Sequence, residues 1–331
     1  MSNRTIAQLA HVELLTPTPE QSLSFFENVI GLEVTKSEGK SVYLRGWGEW
    51  SHHSLQLTEG ARPGLGHIAW RANSQEDLDA AAERITALGA SEGWLDASIG
   101  HGPAFRYRGP GGHLHELFWE LERYEPPADM RSPYPNRPQR YVPRGVAPRQ
   151  IDHVTVATVD PWGDAQWYRD ALEYRFTEYM VVGENNDVPI FTMLTTNEKS
   201  HDLGLVIDQA GGNGRIHHLA YWVDSRDELL RAADVLMNSG FPIETGPGGH
   251  GMGEQDYLYV REPGGLRVEI NTGGYRLYEP DWEPVKWVPG QGSDTFYRNV
   301  TMPESMVQAF PPVDATEDEA AKHVVTEWNR A

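Results

Sequence analysis

No cysteine occurs anywhere in the 331 residues. Disulfides, thiolate metal sites and cysteine nucleophiles are therefore excluded, and the composition suits a reducing compartment. No apolar run approaches the roughly 20 residues that a membrane-spanning helix needs. The N-terminal MSNRTIAQLAHVELL lacks a basic stretch followed by an apolar core and a cleavage site, so no secretory signal is expected and a cytoplasmic location is. Basic residues are scarce as well: 28 Lys and Arg stand against 48 Asp and Glu, a formal net charge of −20. Such a surface repels phosphate backbones and anionic bilayers, so neither nucleic acid nor membrane is expected as a partner. What remains for chemistry is histidine and carboxylate. At 39% apolar and 23% charged, the chain reads as globular and long enough for about two domains.

The chain repeats itself. LAHVELLTPTPEQSLSFFENVIGLEV, from Leu9, answers to IDHVTVATVDPWGDAQWYRDALEYRF, from Ile151. HHSLQL answers to SHDLGL, GLGHIAWRA to RIHHLAYWV, and GHGPAFRYRGPGGHLHELF to GHGMGEQDYLYVREPGGLRVEIN. A fainter repeat lies inside each half, where GHIAWRANSQEDLDAAAERITALGA follows the pattern of the first segment. Four units thus begin near residues 8, 65, 150 and 216. Each reads as an alternating strand, an amphipathic helix and further short strands bounded by Gly and Pro, a βαβββ unit. The boundaries are a first module at 1–125, a Pro- and Arg-rich connector at 126–149, a second module at 150–290 and a tail at 291–331. The segment DWEPVKWVPGQ and an acidic, helix-like stretch, TEDEAAKHVVTEW, follow the repeat.

Half-buried sheets repeated four times suggest paired units that curl around a cavity, with side chains opposite the buried face pointing into it. His153 on the first strand of unit three, His218 on the first strand of unit four and Glu269 on the last strand occupy such positions. In GRIHHLAYWV, strict alternation sends His217 and His218 to opposite faces, so one at most serves a given site. Two imidazoles and a carboxylate form a facial triad suited to non-haem Fe(II), with three adjacent positions open; Mn(II) is the alternative ion. Strand histidines are more often packing or surface residues, and a strand glutamate is often an outward ion-pair partner. Burying three polar groups at matching positions, however, needs a shared compensating partner. His11, His67 and Glu116 are the first module's equivalents, and His53 and His101 match His201 and His250.

These motifs resemble the type I extradiol ring-cleaving dioxygenases, the catechol 2,3-dioxygenase family of the vicinal oxygen chelate superfamily. The likeness spans most of residues 8 to 290 and is most specific in the second module, where IDHVTV, SHDLGL, GGNGRIHHLAY, GPGGHG and YLYVREPGGLRVEI follow in order. It implies an α+β vicinal oxygen chelate fold, with the four βαβββ units forming two barrel-like modules. It also implies extradiol cleavage of a catechol by O2 at a mononuclear Fe(II) site carried by His153, His218 and Glu269, without an organic cofactor. His201 then matches the acid–base histidine, His250 a second pocket histidine and Tyr259 the tyrosine that hydrogen-bonds the catecholate. His217 faces away as a packing or supporting residue.

Two departures bear on specificity. Thr245 stands where members acting on carboxylate-bearing catechols place an arginine, which points to an uncharged, substituted ring. Thr155 replaces an asparagine found near the oxygen site of some members. The resemblance implies a homo-oligomer, commonly a tetramer, and an inactive first module, where Arg106 takes the tyrosine position. Trp282 and Trp287 are placed to cover the pocket or to make a subunit contact. The rival functions are a metal-dependent isomerase or lyase of the glyoxalase type and a small-molecule binding protein of the same fold. The first normally has a more carboxylate-rich ligand set, and the second a broken triad.

Overall fold

Residues 4–293 and 303–312 are described by a computed structural model. Its first unit is β1 (Ile6–Thr16), α1 (Pro19–Ser24), β2 (Glu33–Glu38), β3 (Ser41–Arg45) and β4 (Leu55–Glu59). The second is β5 (Gly64–Ala72), α2 (Gln75–Ala87), β6 (Ser91–Leu95), β7 (Ala104–Arg108) and β8 (Leu114–Phe118). The third is β9 (Gln150–Thr158), α3 (Pro161–Leu172), β10 (Arg175–Val182), β11 (Val188–Thr195) and β12 (Leu203–Ile207). The fourth is β13 (Arg215–Trp222), α4 (Arg226–Asn238), β14 (Ile243–Gly249), β15 (Gln255–Arg261) and β16 (Arg267–Gly273). A short strand, β17 (Val285–Trp287), follows.

Local chemistry starts and stops the helices. Ser74 and Ser225 cap α2 and α4 by accepting from the N–H groups of Asp77 and Glu228, and Asp160 does the same for α3 through Gly163. Pro19 and Pro161 sit in first turns, where a missing N–H costs nothing. α1 passes into a π-helical turn at Phe25–Ile30 and ends at Gly31, whose φ of 87° favours glycine. A Cβ there would also lie 1.9 Å from the Arg144 carbonyl oxygen, so glycine lets the connector approach.

Each module is one sheet. The first has eight strands in the order β2-β3-β4-β1-β5-β8-β7-β6, the second nine in the order β14-β15-β16-β13-β9-β12-β11-β10-β17. Units join through antiparallel pairing of their first strands, β1 with β5 and β9 with β13. The last strand of each unit returns parallel beside its own first strand, so β12 flanks β9 and β16 flanks β13. The most central strands are consequently covered on both faces, and β9 and β13 are buried almost throughout. One apolar core runs through both modules: Leu78, Ala81 and Ile85 of α2 join Ala165, Tyr168 and Leu172 of α3. Across the junction, Arg84 Nε donates to the Ala171 carbonyl at 2.9 Å.

Between β8 and β9 the connector has no strand and wraps the first module. The Val146 and Ala147 N–H groups donate to the Val29 and Ile30 carbonyls at 2.9 and 2.8 Å, and Gln139 is buried against Arg45. Within the chain, the aromatic segment packs against the edge of the second sheet. β17 extends the second sheet beside β10, Trp282 Nε1 donates to the Thr177 carbonyl at 2.9 Å, and Trp287 packs against the cluster of Met180, Ile190, Met193 and Met252. The acidic stretch at 316–328 lies outside the described residues. Residues 303–312 instead run back across β13, where Phe310 exchanges backbone hydrogen bonds with Ile216 at 2.8 Å in both directions. No helix among the described residues is long and apolar enough to cross a membrane.

Candidate metal centre

His153 lies on β9, His218 on the neighbouring β13 and Glu269 on β16, the next strand out. Strand adjacency thus carries three side chains distant in sequence to one face. His153 Nε2 is 3.0 Å from His218 Nε2 and 3.3 Å from Glu269 Oε2, and His218 Nε2 is 3.0 Å from the same oxygen. Among the described residues, this is the group of three His or carboxylate donors gathered within 4.8 Å of one another. Three donors each about 2.1 Å from one ion, at right angles to one another, stand about 3.0 Å apart. The observed edges fit one face of an octahedron, and the residues therefore suit a six-coordinate divalent ion with its opposite face free.

Both imidazoles are oriented from behind. Asp152 Oδ2 accepts from His153 Nδ1 at 2.8 Å, from Asn271 Nδ2 at 2.8 Å and from Gln255 Nε2 at 2.9 Å, while Lys199 Nζ lies 3.4 Å from its other oxygen. That leaves the His153 Nε2 lone pair for a metal. His218 is held differently. The ladder between β9 and β13 slips at His217, with Ile216 opposite Val156 and His218 opposite Thr155. This bulge corrects the strict alternation expected of the HH pair, since the extra residue re-aims a side chain. His217 does not simply face away: its Nδ1 is 2.6 Å from His218 Nδ1, and its Nε2 reaches the Met306 carbonyl. A proton on His217 Nε2 donates to that carbonyl, so His217 Nδ1 accepts from His218 Nδ1–H and His218 Nε2 is left bare.

The charges follow from this packing. Burial opposes a proton on His153, but Glu269 and then Asp152 outweigh it and push the imidazole up to about 9. Burial holds His218 down to about 4 despite the pull of Glu269. Glu269 lies well below the usual carboxylate range because the pull of His153 and His218 overcomes its burial. In the absence of a cation, one proton on His153 bridges to Glu269.

Around this trio stand the other expected residues. His201 does not lie within a strand but just before β12, its ring 4.0 Å from that of His153 and its Nδ1 3.2 Å from Ser200 Oγ. Burial, followed by the neighbouring His153, holds its pKa well below the ordinary imidazole value. Tyr259, on β15 directly opposite Glu269, places its ring 5.3 Å from that of His218. His250 follows β14, stacks on Tyr257 at 3.9 Å and approaches the Tyr259 hydroxyl at 3.2 Å. Thr155 Oγ1 is buried with no partner among the described residues, and Thr245 lies on β14 opposite Tyr259. Asp152, Asn271 and Lys199 were not singled out from the sequence. Asp152 precedes His153 on a strand, so alternation places it on the other face and nothing in the motif marks it. A cavity of about 590 Å³ between the modules is lined by Asp152 and Lys199, behind His153.

The first module gathers its histidines alike but not its carboxylate. His11 Nε2 is 2.9 Å from His67 Nε2, whereas Glu116 Oε2 stands 3.8 Å from His67 Nε2. Arg106 lies opposite Glu116 as Tyr259 lies opposite Glu269, and its guanidinium holds Glu116 through Nε at 3.1 Å and through Nη2.

Comparison with known proteins agrees with this geometry. A family profile described as the Glyoxalase/Bleomycin resistance protein/Dioxygenase superfamily matches residues 8–117 and 150–270. The chain is 38% identical over 286 residues to a manganese-dependent 2,3-dihydroxybiphenyl 1,2-dioxygenase of Geobacillus genomosp. 3, covering 85% of this chain and 90% of that one. It is 36% identical over 317 residues to a metapyrocatechase of Geobacillus stearothermophilus, covering 94% and 95%. The solved structure of homoprotocatechuate 2,3-dioxygenase from Arthrobacter globiformis superposes with a TM-score of 0.80 at 26% identity, covering 93% and 94%.

Proposed function

Because the chain belongs to the Glyoxalase/Bleomycin resistance protein/Dioxygenase superfamily, as one of its extradiol ring-cleaving dioxygenases, we propose that it opens the ring of an uncharged, substituted catechol beside the diol, adding both atoms of O2. The product is of the 2-hydroxymuconic-semialdehyde type. The observation that carries this reading is the octahedral-face spacing of His153, His218 and Glu269. Two imidazoles and a carboxylate hold Fe(II), with Mn(II) as the alternative ion, and a relative named for manganese dependence supports that alternative. When bound, such an ion supplies a Lewis-acidic, redox-capable template with three adjacent positions for diol and oxygen.

The chain's own residues supply the rest. His201, neutral through burial and set on the His153 side of the trio, accepts and returns a proton beside the reacting oxygen. Tyr259, near His218, and His250 beside the Tyr259 hydroxyl orient the catecholate by hydrogen bonds. Close burial of all three ligands excludes competing water from the protein side. Thr245, in place of an arginine, offers no charge at that position for a substrate carboxylate, which supports an alkyl-, aryl- or chloro-substituted ring.

The same reading places catalysis in the second module, 150–290, with a non-catalytic first module at 1–125, the connector at 126–149 and a tail at 291–331. Each sheet curls into a barrel-like half around its histidines. The working form is a cytoplasmic homo-oligomer, a tetramer as in many such enzymes, and the lack of cysteine supports that compartment. The test is oxygen uptake by anaerobically Fe(II)-loaded protein given catechol and 3-methylcatechol, with absorbance of the ring-fission product followed alongside. Uptake matching product, and lost in His218→Ala, is expected. Bound iron with no uptake on these or larger catechols would overturn the assignment.

A further inference from the structure

The two modules carry nearly the same imidazole constellation. The rings of His11 and His67 are 5.0 Å apart at 85°, those of His153 and His218 5.2 Å apart at 82°. The rings of His11 and His53 are 4.4 Å apart at 44°, those of His153 and His201 4.0 Å apart at 46°. Facing Nε2 atoms are 2.9 Å apart in the first pair and 3.0 Å in the second. The supporting contacts are in place as well. Glu13 Oε2 accepts from His67 Nδ1 at 2.9 Å and leaves His67 Nε2 as a lone pair. The Gly102 carbonyl accepts from His101 Nδ1 at 2.7 Å, and His101 Nε2 then stands 3.8 Å from Glu116. His53 Nε2 is buried with no partner among the described residues.

The cluster differs from the second module's in the residue that faces its glutamate. In the second module the glutamate is faced by Tyr259 and stays with its histidines; in the first it is faced by Arg106 and drawn toward the guanidinium. A guanidinium is always charged, so it repels a cation, and its Nε and Nη2 hold Glu116 by Oε1 while Oε2 stays 3.8 Å from His67 Nε2 and His101 Nε2, too far to share an ion closely with them. We propose that the first module retains a complete ligand set, His11, His67 and Glu116 with His101 and His53 adjacent, which Arg106 keeps closed by standing in the cation's place. Opened, the site takes a divalent transition ion of the zinc, cobalt and nickel class, since imidazoles dominate its donors. The inference concerns metal binding by the other module and does not depend on which reaction the second performs.

The experiment counts metal. Wild type, Arg106→Tyr, Arg106→Leu and His218→Ala proteins are stripped with chelator, loaded with Co(II) or Zn(II), desalted and assayed for metal per chain, with Co(II) visible absorption as a second signal. Expected are one equivalent for wild type, two for each Arg106 variant and none for His218→Ala. Combining His67→Ala with Arg106→Tyr returns the count to one. Folded Arg106 variants that stay at one equivalent would overturn the proposal. So would a wild type taking two, since Arg106 would then close nothing, and that count stands even if both Arg106 variants fail to fold.

Discussion

Replacing Asp152 by Asn should weaken metal binding without touching a ligand. Asp152 accepts from His153 Nδ1, Asn271 and Gln255 within 2.9 Å and also neutralises Lys199. An asparagine keeps the shape but offers one acceptor oxygen and an NH2 group, which must face either Lys199 or the amide donors. His153 loses its anionic support and becomes a poorer donor, for which the usual cost is about 10- to 100-fold in affinity, about 1.4 to 2.8 kcal/mol. Proton competition adds a second effect of opposite sign. His153 is pushed up to about 9 against its burial, first by Glu269 and then by Asp152, so below that pH a proton must leave before a cation enters. Wild-type affinity should therefore rise about tenfold per pH unit from 6.5 towards 9. In the variant the proton is held less tightly, which offsets part of the loss at low pH. The defect should grow from pH 6.5 to 8.5, measured anaerobically as Mn(II) binding by electron paramagnetic resonance. An unchanged affinity in a folded variant, or a defect largest at pH 6.5, would refute the reasoning.

Further outcomes follow from neighbouring contacts. His217→Ala removes the acceptor that fixes His218 Nδ1–H and should cost about tenfold in metal affinity, read by the same titration. His201→Asn should retain one metal per chain while kcat falls about 10²- to 10⁴-fold, measured by oxygen uptake; loss of metal instead would make His201 a structural support. Glu244 is held down to about 2 by Arg267 and Arg261 against its burial, so its contribution is complete above its ordinary value of 4.5 and disappears as pH falls toward about 2. It is worth about 3 kcal/mol, and Glu244→Gln should lower urea stability by about that much at pH 7 and by little near pH 2. The same two arginines hold the Ser305 carbonyl, so residues 303–312 should gain protease sensitivity in that variant.

The sequence by itself determined the fourfold βαβββ order and the positions of His153, His218 and Glu269 on first and last strands, because alternation and repeat are patterns of near neighbours. It also marked Arg106 as the odd residue of the first module by its register against Tyr259. Only the tertiary structure decided how the HH pair divides its work, since the bulge at His217 arises from the ladder with β9 and leaves no mark in a run that reads as plain alternation. Asp152 behind His153, the Met306 carbonyl behind His217 and the tryptophans on the edge of β10 were equally hidden. The last two join groups across dozens of residues, and Asp152, though next to His153 in the chain, is held toward it by Asn271 and Gln255 from other strands. Local pattern states which face a side chain prefers, whereas the partner it meets there is chosen by the whole chain's closure.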